Sequence, residues 1–297
     1  MLIDTPRLNA LEDEAIAILR ETAAEVARPV LMYSIGKDSS VLLHLARKAF
    51  APAKLPFPLL HIDTGWKFRE MISFRDAVSR DDDLELIVHQ HAAKLDPFSM
   101  PSAEYTHVMK TEALREALDR HAFDAAIGGA RRDEERSRRK ERVFSVRSTS
   151  HTWDPRQQRP ELWSTWNTRL TSEQTMRVFP LSNWTEIDVW EYIRREAIDV
   201  VPLYFADERQ VDPVDDQLIP VDDERYATAT GRSGETRLVR FRTLGCYPLT
   251  AAVESDAADV DELLRELRAS RRSERSGRLI DGDQPASMER KKRVGYF

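Results

Sequence analysis

An α/β fold built on a mainly parallel sheet, with helices on both faces, is what this sequence predicts. Three observations carry that expectation. Apolar runs of strand length alternate with segments of helical period through about residue 130. The stretches between successive runs are long enough for right-handed crossovers. The runs end on polar loops, at residues 34–39, 63–65 and 128–132, the strand ends where sheets of this kind bind ligands. With 297 residues, the chain suits one large domain with appendages, or two domains. The expected division is a first domain over residues 1–205 and a C-terminal extension over 206–297. The extension is irregular, with a hairpin, a helix and a tail.

The elements follow in order. Asn9 and Glu12 have the spacing of a capping box, and Ile16, Leu19, Ala23 and Val26 continue a helical stripe until Pro29. Residues 30–33 form the first strand. After a short loop, Val41, Leu42 and Leu45 mark a helix. Residues 58–62 are a second strand, ending at Asp63-Thr64-Gly65, and 66–80 read as a helix. Residues 84–88 are a third strand, and 89–104 form a loop containing Pro97 and Pro101. Val108, Leu114 and Leu118 share one side of a helix over 106–120, and 123–127 make a fourth strand that ends at Gly128-Gly129.

The second half has weaker periods. Residues 147–175 hold Trp153, Trp163 and Trp166 among polar residues and read as an ordered loop. A strand over 177–181 precedes a helix capped by Thr185 with Asp188 three residues on, its apolar face carrying Ile187, Trp190 and Ile193. Residues 218–221 and 237–241 are expected to pair as a hairpin, and 258–267 to form a helix. From Arg271 the chain is charged, yet it ends Val294-Gly295-Tyr296-Phe297.

Composition narrows the function. The formal net charge of −6 argues against general nucleic-acid binding, and no apolar run approaches the length of a membrane span. The N-terminus lacks the basic start and apolar stretch of a signal peptide. Cys246 is the sole cysteine, so one chain can build neither an internal disulfide nor a cysteine-based zinc or iron–sulfur site. The seven histidines show no metal-ligand spacing. A cytoplasmic enzyme is the simplest expectation.

The chemistry centres on Tyr-Ser-Ile-Gly-Lys-Asp-Ser-Ser at 33–40. A strand, a glycine-containing loop and a helix point backbone N–H groups at a phosphate. Lys37 adds positive charge, and Ser34, Ser39 and Ser40 add hydroxyls. The loop is not a Walker A motif, because Asp38 follows Lys37 and position 31 is leucine. Ser-x-Gly-Lys-Asp-Ser instead resembles the loop of the PP-loop ATP pyrophosphatases, which cleave ATP between its α- and β-phosphates.

Further motifs sharpen the resemblance. They are Leu-His-Ile-Asp-Thr-Gly-Trp-Lys-Phe-Arg-Glu-Met at 60–71, Gly-Gly-Ala-Arg-Arg-Asp-Glu-Glu at 128–135 and Arg-Val-Phe-Pro-Leu-Ser-Asn-Trp-Thr-Glu at 177–186. Arg-Phe-Arg-Thr-Leu-Gly-Cys-Tyr-Pro-Leu-Thr at 240–250 and the terminal Lys-Lys-Arg-Val-Gly-Tyr-Phe complete the set. Together they resemble the small, catalytic subunits of bacterial ATP sulfurylases, nearly end to end. Ile35 stands where the wider PP-loop group usually has glycine. Regions 147–175 and 206–236 match less well.

The resemblance implies the reaction of ATP with sulfate to give adenosine 5′-phosphosulfate and pyrophosphate. It also implies Mg²⁺ and a large GTPase subunit, with or without a fused adenylylsulfate kinase, because forming the phosphosulfate anhydride is strongly uphill. No phosphate loop of Walker A pattern occurs anywhere in the sequence. Ser34, Gly36, Lys37, Asp38, Ser39 and Ser40 are expected to hold the β- and γ-phosphates. For Asp38 a helix cap and a part in organising the loop or a Mg²⁺ both stay open. Asp63, Thr64 and Gly65 are expected beside the adenosine. Arg131 and Arg132, arginines at a strand end, are the candidates for sulfate or the α-phosphate. Asp133 and Glu134 either orient them or bind Mg²⁺. Arg138 to Arg142 read as a solvated helix face. Arg240 and Arg242, alternating on a strand, are further sulfate candidates. Trp184, Trp190 and Tyr192 read as core. The rival readings are a phosphoadenosine-phosphosulfate reductase, which needs a cysteine nucleophile, and a non-catalytic nucleotide-binding subunit.

Overall fold

The first helix already runs at Thr5. The structure, a computed structural model, describes residues 5–81 and 83–269. The charged tail and its aromatic end at 294–297 lie outside the described residues. The order of elements begins α1 (Thr5–Glu25), β1 (Pro29–Met32), α2 (Lys37–Phe50), β2 (Leu59–Asp63), α3 (Arg69–Val78) and β3 (Leu86–Gln90). Next come α4 (Ser102–Thr106), a π-helical turn (His107–Glu112), α5 (Ala113–Arg120) and β4 (Ala125–Ile127). They are followed by β5 (Phe144–Ser148), β6 (Gln174–Val178) and α6 (Glu186–Glu196). The chain then forms β7 (Asp207–Val214), β8 (Gln217–Pro220), α7 (Glu224–Thr230), β9 (Glu235–Arg240), β10 (Val253–Glu254) and α8 (Val260–Ala269).

The main sheet has the order β3-β2-β1-β4-β6-β5, parallel except for the β5 edge. Period-two alternation splits its apolar residues between two faces. Val30, Leu60 and Ala126 pack with Leu114, Ala117 and Leu118 of α5. Their neighbours Leu31, Leu59 and Ile127 join the main core on the opposite face. There α1 packs on α2, α2 on α6, and α6 on α8. Covered faces explain why β1, β2 and β4 read as continuous apolar runs. No helix among the described residues is long and apolar enough to cross a membrane.

Several expectations need correction. Asn9 lies inside α1 rather than capping it; Pro6 sits in the first turn, where its missing N–H costs nothing. Asn9 Oδ1 instead accepts from Arg195 of α6 at 2.8 Å. The Thr185–Asp188 capping box is present, and Arg7 donates to Asp188 at 2.7 and 2.8 Å. Strand β5 carries no alternating signature in the sequence because its polar members are buried: Arg147 is 2% exposed and pairs with Glu141.

The expected hairpin between residues 218–221 and 237–241 does not form. Strand β7 lies between them, in a second, antiparallel sheet ordered β10-β9-β7-β8. Asp215 and Asp216, with φ of 45° and 61°, make a two-residue turn that joins β7 directly to β8. Positive φ at both central residues matches the twist of the flanking strands, so the local pairing wins. The two sheets share one core: Val211, Ile219, Val239 and Phe241 belong to the same cluster as Leu31 and Val41.

Candidate active site

At the carboxyl ends of β1 and β4 lies a cleft of about 250 Å³. Its apolar wall is Met32, Leu60, Ile62 and Leu114. Its polar wall carries Ser34, Asp38 and Ser39 from the first loop, Gly129 and Glu134 from the third, and the cations Lys67, Lys110 and Arg138. Helix α2 opens onto it with its N-terminus, the end that favours anions.

Packing dictates the shape of the first loop. Ile35 has φ of 68°, the left-handed region that costs a β-branched residue about 1–3 kcal/mol. The isoleucine side chain is 0% exposed within the main core, and such burial contributes about 1.5–3 kcal/mol, enough to offset the strain. Gly36 is the N-cap of α2, and a Cβ there would stand 3.2 Å from the Tyr204 hydroxyl. That hydroxyl accepts a 2.8 Å hydrogen bond from the Lys37 backbone N–H. Ser39 Oγ donates to the Gly36 carbonyl at 2.9 Å and lies 3.2 Å from Ser34 Oγ. Ser40 is buried in the first turn of α2, off the cleft wall.

Asp38 ties the first loop to the third. Its Oδ1 accepts from Arg131 Nε at 2.7 Å, and its Oδ2 accepts from Lys37 Nζ at 3.1 Å. No side-chain cap hydrogen bond closes the N-terminus of α2, and the Asp38 carboxylate is turned to these two cations instead. Lys37 and Arg131 are each 1% exposed and turn inward to this carboxylate. They are therefore placed to hold the loop, not to face the cleft. The Arg131 backbone N–H donates to Glu134 Oε1 at 3.1 Å. Gly129 permits the approach: a Cβ on it would stand 2.9 Å from Asp38 Cβ.

The other expected anion ligands point elsewhere. Arg132 Nη1 donates to Asn183 at 2.6 Å, and its Nη2 lies 3.6 Å from Glu161. Arg240 is 1% exposed and binds Glu266 and Ser255. Strand β9 ends at Arg240, so Arg242 does not alternate with it on a strand; Arg242 Nη2 donates to Glu186 at 2.7 Å. In each case a nearby carboxylate or amide captures the guanidinium. Asp133 lies 3.9 Å from Arg131 Nη1 and 3.3 Å from the Glu186 backbone N–H.

The second loop also sits off the cleft wall. Asp63 Oδ1 accepts from the Gly65 N–H at 2.8 Å, and Gly65 takes φ of 75° in that turn. Thr64 is buried with its Oγ1 3.0 Å from Cys246 Sγ, and its carbonyl accepts from the Tyr105 hydroxyl at 2.9 Å. Two of the three expected loops thus meet at the cleft. The second contributes through Leu60 and Ile62 before it and Lys67 after it.

Sequence reasoning missed Lys67, Lys110, Arg138 and Tyr204. Arg139, Lys140 and Arg142 are exposed as expected, but Arg138 is 6% exposed and faces inward. Lys110 stands on the π-helical turn, a feature frequent at functional sites. His61 is fully buried beside the first loop, with Nδ1 donating to the Tyr33 carbonyl at 2.8 Å. Burial, and then the charge of Lys67, push its pKa down to about 3, so the ring is neutral. Burial likewise pushes the Tyr33 phenol up to about 12. Among the described residues, no group of three or more His, Cys, Asp or Glu side chains is arranged to hold a metal ion.

A parallel sheet, a glycine-containing loop at a strand end and a helix N-terminus aimed into a cationic cleft define a phosphate-binding α/β protein. The family model described as phosphoadenosine phosphosulfate reductase domain matches residues 28–252. Sulfate adenylyltransferase subunit 2 of Azospirillum brasilense is 66% identical over 294 residues, covering 98% of both chains. The protein of that name from Shewanella baltica strain OS185 is 58% identical over 98% of this chain and 97% of that one. The chain belongs to the sulfate adenylyltransferase subunit 2 family, within the phosphoadenosine phosphosulfate reductase domain family. Crystalline Candida glabrata FMN adenylyltransferase, 15% identical, has a TM-score of 0.51 over 92% of this chain and 88% of that one, a likeness of fold alone.

Proposed function

We propose that this chain transfers the adenylyl group of ATP to sulfate, releasing pyrophosphate. The observation that carries the reading is the Ser34–Ser39 loop at the N-terminus of α2, opening on a cleft with one apolar wall and three cations beyond the loop. Met32, Leu60, Ile62 and Leu114 suit the adenine face, and the loop with the α2 dipole suits the β- and γ-phosphates. A sulfate oxygen attacks the α-phosphorus. The new O–P bond forms as the bond to the β-phosphate oxygen breaks, and pyrophosphate leaves with that electron pair. The protein contributes positioning and charge stabilisation. Lys37, Asp38 and Arg131 act by fixing the loop. Asp63, Thr64 and Gly65 act at one remove, by setting the turn that leads to Lys67.

Mg²⁺ fits as the partner of the triphosphate. Asp38 and Glu134 are the carboxylates on the cleft wall, and both oxygens of Asp38 already accept from cations. An ion carried by the nucleotide and its waters suits that donor set better than a protein-held ion.

The designation of the relatives as subunit 2 supports a companion subunit. A GTPase in that place would drive the uphill step by biasing conformations shared by the two sites, and the cytoplasm is where both nucleotides are abundant. The reductase alternative fits poorly, because Cys246 is 0% exposed against Thr64. The test is pyrophosphate release by the chain with and without sulfate, alone and with the companion subunit and GTP. Sulfate-dependent release, with a yield raised by GTP, is expected. Release that ignores sulfate would overturn the adenylyl-transfer reading, and full GTP-independent yield from the chain alone would overturn the coupling.

A further inference from the structure

Three cations on the cleft wall lie outside the phosphate loop, and each comes from a different segment. Lys67 follows β2, where a β-bridge to Cys246 pins its backbone, and its residue is only 9% exposed. Lys110 stands on the π-helical turn before α5. Its Nζ lies 3.6 Å from where a Cβ on Gly245 would stand, so the bare glycine leaves the amine room beside the wall. Arg138 stands on the 3-10 turn Arg136–Lys140 after β4. Its side chain is 7% exposed. Glu134 is 3.2 Å from its Nε and Glu141 is 4.0 Å from its Nη1, yet neither of these two buried nitrogens makes a hydrogen bond of good geometry. Buried guanidinium N–H groups without a well-aligned acceptor are costly, and a ligand oxygen entering the cleft would satisfy them.

The charges also match. Asp38, the other acid near the loop, is already held by Lys37 and Arg131. Lys67, Lys110 and Arg138 share the wall with Glu134 as its remaining carboxylate, a lining whose charge suits an anion.

We infer that Lys67, Lys110 and Arg138 form the subsite for the attacking oxyanion, sulfate, and that the arginines at 131, 132, 240 and 242 do not. The inference rests on the adenylyl-transfer reading and assigns its second substrate. Arg138 supplies directed N–H donors and the lysines supply charge, so a tetrahedral oxyanion is oriented beside the α-phosphorus without sharing the ligands of the leaving group. Glu134, which touches both Arg138 and the Arg131 backbone, couples this subsite to the phosphate loop.

The test uses the full chain with its companion subunit and measures the KM for sulfate, the KM for ATP and the calorimetric Kd of the non-hydrolysable analogue AMPCPP. Lys110→Ala and Arg138→Ala are expected to raise the sulfate KM roughly 10–100-fold, the loss of one charge-assisted contact, with ATP KM and AMPCPP affinity within about threefold of wild type. Arg138→Lys should recover part of the loss. Arg139→Ala, which removes an exposed charge from the same turn, is the control and should leave all three values alone. Lys110 is not part of the buried ion-pair cluster, so its variant keeps the test valid if Arg138→Ala fails to fold. An unchanged sulfate KM in Lys110→Ala, or a parallel loss of AMPCPP affinity, would overturn the subsite and give these cations to the triphosphate. Wild-type turnover that ignores sulfate would instead overturn the adenylyl-transfer reading, and the subsite with it.

Discussion

Gly129→Ala probes the contact on which the cleft depends. The added Cβ would stand 2.9 Å from Asp38 Cβ, 3.2 Å from its carbonyl carbon and 3.3 Å from its carbonyl oxygen. Ordinary van der Waals contact begins near 3.4 Å, so the two loops must part by at least half an ångström, and by about 1 Å for a relaxed contact. The obstacle is backbone in the first turn of α2, which cannot rotate aside as a side-chain tip could. The same movement stretches the 2.7 Å bond from Arg131 to Asp38, whose guanidinium is wholly buried. Overpacking of this kind costs about 1–3 kcal/mol of stability. A catalytic loop misplaced by about 1 Å costs up to about 10² in rate. Turnover by sulfate-dependent pyrophosphate release should therefore fall much further than thermal stability. The clearest readout is turnover of the variant at a temperature where circular dichroism shows it folded. Turnover within about threefold of wild type, with unchanged ATP affinity, would refute the idea that close approach of these loops sets the site.

Three further outcomes follow from the same geometry. Asp38→Ala leaves Lys37 and Arg131 buried without their shared carboxylate and should destabilise the chain by about 3–5 kcal/mol; an unchanged urea midpoint would contradict this. Cys246→Ser keeps a hydroxyl beside Thr64 and should retain turnover, whereas a folded but inactive variant would revive the cysteine-nucleophile reading. His61 takes up a proton near its ordinary 6.5 when unfolded but only near 3 when folded. The unfolded chain thus binds more protons across that window, so the stability contribution is complete above 6.5 and falls by about 1.4 kcal/mol per pH unit on acidification. Urea titrations between pH 6.5 and 4 should show a steeper loss for wild type than for His61→Gln, and equal slopes would refute it.

Contiguous patterns were legible in the sequence. Strand β1, its loop and α2 lie within some twenty residues, and covered sheet faces leave short apolar runs bounded by turn residues. The Thr185–Asp188 cap was legible for the same reason: its partners are three residues apart. The motif Ser-Ile-Gly-Lys-Asp-Ser marked where phosphate chemistry would sit, and the motif order along the chain pointed to the family. Strand β5 and the β7–β8 pairing were not legible, because a buried arginine, Arg147, and an Asp-Asp turn carry polar labels.

The direction in which each charged side chain points was decided only by tertiary structure. Asp38 meets Arg131 across 93 positions, and Tyr204 meets Lys37 across 167. An arginine reads the same in sequence whether it lines the cleft, as Arg138 does, or meets a carboxylate elsewhere, as Arg240 does. The competing partner that decides the matter comes from a distant element. A long flexible side chain commits to a contact only once packing has placed the acceptor within about 3 Å. Sequence therefore determined the sheet, the loop and the family, while the fold alone chose which cations face the cleft.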